Sequence, residues 1–523
     1  MTYLTVPIAA KNHYELKEQI KAAKAADAEM LELRTDYLEN LSVELANKVI
    51  TEARGAALPI IVTCRDITEG GKNEYPQDLR VEILSAALEA GADFIDFEYE
   101  NFLASTTAME KLQQSLCKKP SSRLILSAHD FKTKFDDISE LYHRIRSLYP
   151  AAIPKLVYTA NHINDCFEAF DLLHETGGER IILCMGAAGL VSRIIAKRLG
   201  SLVTFAGIDE ENRTAPGQLT IYKLKKLYRY DSINAATELY GLIGSPVAHS
   251  SGPAVHNACF ADIGANKLYL PLLVDGSRAE FDKFMSNILA REWLGFAGFS
   301  VTIPHKANSL DFVKQNQGFV EPLTRKIGAA NTLIIDESQV KRCEWRISAY
   351  NTDYTGAMGA IILVLGQDCL KGLAVVVIGA GGVARAIVAG LTDAGARVKI
   401  YNRTVEKAEK LASEFNCDFA PLAELSHIEA KLLINCTSIG MHPDIDATPL
   451  PKKYIKKDMV VFDTVYNPAE TLLLKHARQV GAKTIDGLTM FINQADAQFK
   501  LFTGQATDSK LMRKTIANCL SSR

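Results

Sequence analysis

The stretch Ala374-Val-Val-Val-Ile-Gly-Ala-Gly-Gly-Val-Ala384 decides how the second half of this chain folds. Its opening apolar run shows no alternation and suits a strand covered on both faces. Gly379, Gly381 and Ala384 follow at the spacing G-x-G-x-x-G/A, and a helix is predicted over residues 383–392. That is the strand–turn–helix context the fingerprint requires; without it the glycines would be weak evidence. The glycines permit a tight turn and close backbone approach, and the helix N-terminus then faces a pyrophosphate. Gly379, Ala380, Gly381, Gly382, Val383 and Ala384 are the candidate cofactor contacts, with a purely structural turn as the alternative. After the next strand, at 398–401, the chain reads Asn402-Arg403-Thr404, with Lys407 a turn later. An acid there would hold a ribose hydroxyl and repel a 2′-phosphate, whereas an arginine binds it. The expected cofactor is NADP. Strand-like runs at 432–435 and 460–463, alternating with helices, complete the pattern of a doubly wound sheet.

Upstream, Glu238-Leu-Tyr-Gly-Leu-Ile-Gly244 opens a further α/β unit that runs to about Thr352. It contains Ala297-Gly-Phe-Ser-Val-Thr-Ile-Pro-His-Lys306. Reducing a ketone requires a proton donor or electrostatic stabiliser at the developing alkoxide. Lys306 with Asp353 is a candidate pair for that work; a surface salt bridge is the plain alternative.

The first half is different. Apolar runs at 3–8, 30–34, 60–65, 94–99, 124–129, 155–159, 181–185 and 202–208 alternate with charged, helical stretches. Eight such units predict a (β/α)8 barrel, whose active site lies at the C-terminal ends of the strands. Glu32, Arg34, Arg65, His129, Lys155 and, just past the seventh run, Arg193 cluster at those ends. An amine in a partly apolar interior can lose its proton and attack a carbonyl. Lys155, at the end of the sixth strand, is so placed; a phosphate-binding or structural lysine is the alternative. His129 ends the neighbouring fifth strand and titrates near neutral pH, as a base for the adjacent proton should. Three arginines add fork-shaped cationic donors for a small carboxylate or phosphate. The predicted helix at 218–230 closes the barrel, and the polar stretch 231–238 is the linker.

The 523 residues exceed one domain, and 48% hydrophobic with 23% charged residues describes a globular protein. A net charge of −2 offers no attraction to nucleic acid or to an anionic membrane surface. No run of about 18 apolar residues or signal peptide is visible, and the ten cysteines include no C-x-x-C pair. The expectations are a cytoplasmic protein, small-molecule partners, no metal, and a monomer or homodimer.

Longer segments add resemblance to known families. From about residue 238 the chain resembles shikimate dehydrogenase through Gly244-Ser-Pro-Val-Ala-His-Ser250, Val301-Thr-Ile-Pro-His-Lys306, Gly328-Ala-Ala-Asn-Thr332, Asn351-Thr-Asp353, Asn435-Cys-Thr-Ser-Ile-Gly-Met441, Tyr466-Asn-Pro468 and Gly487-Leu-Thr-Met-Phe-Ile-Asn-Gln494. The resemblance implies that Lys306 and Asp353 are the catalytic pair. It implies that Ser250, Thr302, Asn331, Tyr466, Gln494 and Gln498 hold the substrate, and that Thr437 and Gly487 lie at the cofactor. The family usually reads His-Ser-x-Ser-Pro; this chain has His249-Ser250-Ser251-Gly252-Pro253 and so lacks a carboxylate ligand. Gly252 opens room beside C1 of the ring, which makes quinate the alternative redox substrate.

Residues 1 to about 228 are similar to type I 3-dehydroquinate dehydratase through Glu32-Leu-Arg34, Thr63-Cys-Arg65, Glu69-Gly-Gly71, Ser127-Ala-His129-Asp130, Pro154-Lys155, Ser192-Arg193 and Ala215-Pro-Gly-Gln218. The resemblance implies that Lys155 forms an imine with the C3 ketone and that His129 removes the C2 proton. It implies that Glu69 orients His129, and that Glu32, Arg34, Arg65, Arg193, Thr214 and Gln218 bind substrate, Thr214 standing where serine is common. Together the halves resemble the fused enzyme family that turns 3-dehydroquinate into 3-dehydroshikimate and then, with NADPH, into shikimate. The expected divisions are a barrel at 1–228, a substrate-binding domain at 238–352 with returning helices at 489–523, and a Rossmann domain at 353–488.

Overall fold

The structure, a computed structural model, describes residues 1–248, 250–336, 346–425 and 429–521; His249 of the quoted serine motif lies outside them. The chain divides into two compact units, the first built mainly on Met1–Thr237 and the second mainly on residues from Glu238 onward.

The first unit holds β1 (Tyr3–Ile8), β2 (Met30–Arg34), β3 (Ile60–Thr63), β4 (Phe94–Glu98), β5 (Arg123–Asp130), β6 (Ile153–Thr159), β7 (Ile181–Met185) and β8 (Val203–Phe205). They form one parallel sheet in the order β7-β6-β5-β4-β3-β2-β1-β8. Because β8 pairs with β1, at Tyr3↔Val203, and also approaches β7, the sheet curls into a barrel. Met30, Ile61, Ile125, Ile153, Ile181 and Val203 fill its interior as one apolar cluster. The surrounding helices follow from their spacing. Val43–Arg54 is capped by the Ser42 side chain and buries Ala46, Val49, Ile50 and Ala53 along one stripe.

Three expectations need correction. Lys155 is not at the end of its strand but third in β6, which begins at Ile153 by pairing with Ile125. Its long side chain therefore rises through the interior toward the mouth. The eighth strand is only Val203–Phe205, and the helix predicted at 218–230 is a short turn whose core, Lys223–Leu227, is π-helical. The cause is a bridge between Gly207 and Thr220, with Gly207 N donating to Leu219 O at 2.9 Å. It keeps the chain extended through residue 220 and delivers Gln218 to the mouth.

The second unit contains two sheets. The first joins β9 (Glu238–Gly244), β10 (Lys267–Leu273), β11 (Phe296–Val301), β12 (Phe319–Val320), β13 (Thr332–Ile335) and β14 (Ile347–Tyr350) in the order β10-β9-β11-β13-β14-β12. It is mixed: β9–β11 is parallel, while β11–β13 and β13–β14 are antiparallel. The second joins β15 (Ala374–Ile378), β16 (Arg397–Asn402), β17 (Asp418–Pro421), β18 (Leu432–Asn435), β19 (Val460–Asp463) and β20 (Lys483–Ile485). Its order β17-β16-β15-β18-β19-β20, all parallel, is the dinucleotide-binding topology, with the glycine turn at the switch point beside β15 and β18. Short β17 and β20 at the sheet edges were not legible as apolar runs. The helix Gly487–Thr503 packs on the helix Thr352–Leu365. There Gly356 permits the approach, since a Cβ would come within 2.8 Å of Met490 O.

Candidate active sites

All nine barrel candidates line one cavity at the strand ends: Glu32 and Arg34 from β2, Arg65 and Glu69 after β3, His129 from β5, Lys155 from β6, Arg193 after β7, and Thr214 and Gln218 after β8. Its empty volume is about 510 Å³, partly open to solvent. Lys155 is buried, with Nζ 2.7 Å from Asp96 Oδ2 and 3.4 Å from Glu32 Oε1, and 4.9 Å from the centre of the Phe205 ring.

His129 is oriented by Glu69. Its backbone N–H donates to Glu69 Oε2 at 3.0 Å, and its Nδ1 lies 2.9 Å from the same oxygen. An oxygen already accepting the backbone proton accepts from Nδ1–H as well, which leaves Nε2 with its lone pair free as a base. Burial, together with the positive charges of Arg65 and Lys155, holds the imidazole well below its usual range, so it rests neutral. Burial also pushes the Glu69 carboxyl up to about 8, aided by Glu98 and Asp96 against the opposing pull of Arg65. Phe131 stacks on the imidazole with ring centres 6.2 Å apart, and Gly70, with φ of 84°, leaves the space this ring occupies.

Anion-binding capacity is uneven among the arginines. Arg34 is neutralised by Asp36 through two bonds of 2.8 Å. Arg65 is held by Asp96 and Glu98, each at 2.9 Å. Arg193 is 2% exposed, and its guanidinium has no hydrogen-bond or ion-pair partner among the described residues; burial lowers it to about 10. Gln218 Oε1 accepts from Thr214 N at 2.8 Å, while its buried Nε2 is unpartnered. A buried cation and a buried amide donor, neither with a protein partner among the described residues, line the same cavity and have the chemistry to bind an anion.

Sequence reasoning missed Asp36, Asp96, Glu98 and Ser127, which hold the candidate side chains Arg34, Arg65 and Lys155 in place. A signal existed: Asp96 and Glu98 alternate within the apolar β4, so both point to the same face, into the barrel.

In the second unit Lys306 and Asp353 form a pair with Nζ 2.5 Å from Oδ2, and Asp353 is 3% exposed. The stem of Lys306 lies against the glycine turn, for a Cβ on Gly382 would come within 3.0 Å of Lys306 Cδ. The proton-bearing pair and the dinucleotide turn are therefore neighbours. Asn331 is buried, its Oδ1 accepting from Thr352 N at 2.8 Å and Thr332 Oγ1 at 2.9 Å. Gln498 is fully engaged: Ser300 Oγ donates to its Oε1, and its Nε2 donates to Asn331 O and Thr332 Oγ1. It braces the Asn331 strand. Thr302 follows β11, its N–H bonded to Ile243 O. Gln494 lies against Gly356, and Tyr466 packs on Phe491 with ring centres 4.8 Å apart. Ser250 Oγ accepts from Gly252 N at 3.1 Å, whereas Ser251 Oγ is buried without a partner among the described residues. A Cβ on Gly252 would sit 3.2 Å from Ser250 Oγ, so the room there is bounded.

The turn fits a dinucleotide. Gly379 has φ of 111° and approaches the Cys436 carbonyl, a Cβ on Gly381 would meet nothing within 4 Å, and the helix Gly382–Asp393 starts immediately, with Val383 in its first turn and Ala384 buried. Ala380 lies between, half-buried. Beyond β16, Arg403, Thr404 and Lys407 are exposed, and Asn402 Nδ2 donates to Thr404 O at 2.8 Å. Thr437 is fastened to Asn435 Oδ1, and Asn435 to the buried Asp463. Gly487 packs on backbone, where a Cβ would lie 2.4 Å from Val465 O. Among the described residues no group of three or more His, Cys, Asp or Glu could hold a metal, and no helix is long and apolar enough to cross a membrane.

Comparison with known proteins matches the type I 3-dehydroquinase family to residues 4–235. The shikimate dehydrogenase substrate-binding domain matches 242–333, shikimate/quinate 5-dehydrogenase 365–463, and the shikimate 5′-dehydrogenase C-terminal domain 487–517. The chain is 34% identical, over 97% of its length and 83% of the relative's, to the chloroplastic bifunctional 3-dehydroquinate dehydratase/shikimate dehydrogenase of Arabidopsis thaliana. It is 39% identical to the shikimate dehydrogenase (NADP(+)) of Methanosarcina mazei over 54% of this chain and 99% of that one. A crystal structure of a shikimate dehydrogenase with NADP+ matches at a TM-score of 0.49 and 37% identity, covering 55% of this chain and 97% of that chain. The chain belongs to the bifunctional 3-dehydroquinate dehydratase/shikimate dehydrogenase family.

Proposed function

We propose that the chain carries out both reactions of its family: dehydration of 3-dehydroquinate to 3-dehydroshikimate in the barrel, then reduction of that product to shikimate in the second unit. The observation that carries this reading is Lys155, a buried amine in a cavity with an oriented, neutral imidazole and an unpartnered arginine.

In the first reaction Lys155 condenses with the C3 ketone, releasing water and leaving an iminium that draws electrons from the C2–H bond. His129 Nε2 takes the C2 proton and returns it to the C1 hydroxyl, which departs as water; hydrolysis then frees Lys155. Glu69 maintains the imidazole's tautomer. Arg193 with Gln218 and Thr214 binds the carboxylate, and Glu32, Arg34 and Arg65 shape the remaining wall.

For the second reaction NADPH supplies the hydride. Gly379, Gly381 and Gly382 with the helix N-terminus would hold its pyrophosphate, Arg403, Thr404 and Lys407 its 2′-phosphate, and Asn402, Ala380, Val383, Thr437 and Gly487 line the approach. Lys306 gives a proton to the oxygen that becomes the new hydroxyl, and Asp353 holds Lys306 and the substrate hydroxyl. Ser250, Thr302, Asn331, Tyr466 and Gln494 bind the rest of the substrate, with Gln498 behind Asn331. The relatives named shikimate dehydrogenase support shikimate, and quinate is not retained as the main substrate. The proposed division is a barrel at 1–228, a substrate-binding domain at 238–352 with 489–523, and a Rossmann domain at 353–488. Nine described cysteines are free thiols, which supports a reducing, cytoplasmic location; a monomer or homodimer is the proposed state.

Supplying the full chain with 3-dehydroquinate and NADPH tests the reading. Shikimate should accumulate with one NADPH oxidised per molecule formed. Stalling at 3-dehydroshikimate, or faster turnover of quinate than of shikimate in reverse, would overturn it.

A further inference from the structure

Asp96 has no part in the scheme above, yet it is the side chain nearest the reacting nitrogen. It is third in β4 and fully buried. Its Oδ2 accepts from Lys155 Nζ at 2.7 Å and from Arg65 at 2.9 Å, and its Oδ1 from Ser127 Oγ at 2.6 Å. Arg65 is anchored in turn by Glu98, and Glu98 by Arg80, which also pairs with Asp66. A carboxylate bonded at both oxygens within such a network cannot swing away.

We propose that Asp96 is a positioning residue that serves as the fixed counter-ion of the Lys155 nitrogen, first as ammonium and then as iminium. The inference rests on Lys155 forming the imine. The charge balance favours it. Attack on the ketone uses the amine's lone pair, so the ammonium first gives up a proton that returns as the carbinolamine loses water; over the whole sequence a C=N bond replaces the C=O bond. The oxygen leaves with two of the three ammonium hydrogens as water, and the positive charge stays on nitrogen. Asp96 thus faces one cation before and one after, so the buried charge of the site does not change. Without that partner, burial would drive the iminium to lose its proton, and with it the electron withdrawal that acidifies the C2–H bond.

Other charged groups around Lys155 do not replace Asp96. Glu32 is more distant, at 3.4 Å, and also accepts from Thr63. Glu69 is directed at His129, and Arg34, Arg65 and Arg193 are cations. Asp96 remains ionised: burial alone would raise it, but Arg65 and Lys155 hold it well below the usual carboxylate range.

The test is the pH profile of borohydride trapping, run on the full chain with 3-dehydroshikimate for the wild type, Asp96→Asn and Asp96→Glu. In the wild type the yield of Lys155 adduct should hold steady into alkaline pH. In Asp96→Asn the yield should fall with rising pH, its midpoint moved down by about 1–3 units. Asp96→Glu, which keeps the charge, should restore the wild-type profile at a reduced rate. Far-ultraviolet circular dichroism and the barrel's own melting transition report folding of the first unit. An unshifted Asp96→Asn profile overturns the proposal; so does a shifted Asp96→Glu profile, which decides the matter if Asp96→Asn does not fold. Absence of any Lys155 adduct in the wild type instead refutes the imine itself.

Discussion

Replacing Arg193 by methionine should stabilise the dehydratase unit while crippling its affinity for substrate. Arg193 is 2% exposed and its guanidinium has no protein partner among the described residues, so folding strips water from a charge without supplying a counter-ion. Burial lowers it from 12.5 to about 10, and each unit corresponds to about 1.4 kcal/mol. At pH 7 the group is charged in both folded and unfolded chains. The full penalty, about 3 kcal/mol, therefore applies there and fades only as pH rises through about 10. Methionine fills similar space without the charge. Calorimetry of the ligand-free protein should show the barrel transition raised by about 5–10 °C. Lost charge-assisted bonds to a carboxylate should raise KM for 3-dehydroquinate by about 10–100-fold. A lower melting temperature with unchanged KM would refute the argument, because it would mean that the guanidinium is satisfied within the protein.

Lys306→Met should reduce NADP-dependent shikimate oxidation by about 10²–10⁴-fold and leave the dehydratase rate unchanged, measured by absorbance of 3-dehydroshikimate; loss of both would contradict separate sites. Glu69 binds its proton more tightly in the folded chain, since burial lifts it from 4.5 to about 8. The unit's stability should therefore decline as pH rises between those values, and Glu69→Gln should flatten that decline in denaturant titrations. Arg403→Asp should raise KM for NADP by about 10–100-fold and change KM for NAD far less, with steady-state kinetics as the check.

The convergence of the candidate groups on one cavity was more legible than the scaffolding that aims them. Strand ends in a barrel converge by topology, so Glu32, Arg65 and His129 could be placed on one rim from spacing alone, whereas Lys155, third in its strand, reaches that rim only by the length of its side chain. The glycine turn was equally readable, because it needs a specific strand and helix on either side. Asp96 and Glu98 escaped notice because β4 reads as one more apolar run; their importance arises from Arg65 and Arg80, distant in sequence. The predicted helix at 218–230 failed for a related reason. Its local pattern favours a helix, but the bridge from Gly207 to Thr220 overrides that preference. The buried bonds of Gln498 to Asn331 O, Thr332 Oγ1 and Ser300 Oγ form a network no periodicity reveals.

The identity of the residue that bonds to the ketone remains the sharpest question to put to the molecule. Borohydride should be added to the chain turning over 3-dehydroquinate, and the digested protein mapped by mass spectrometry. The account expects a single reduced adduct on the peptide containing Lys155; full dehydratase activity with no adduct there, or with the adduct on another lysine, would contradict it.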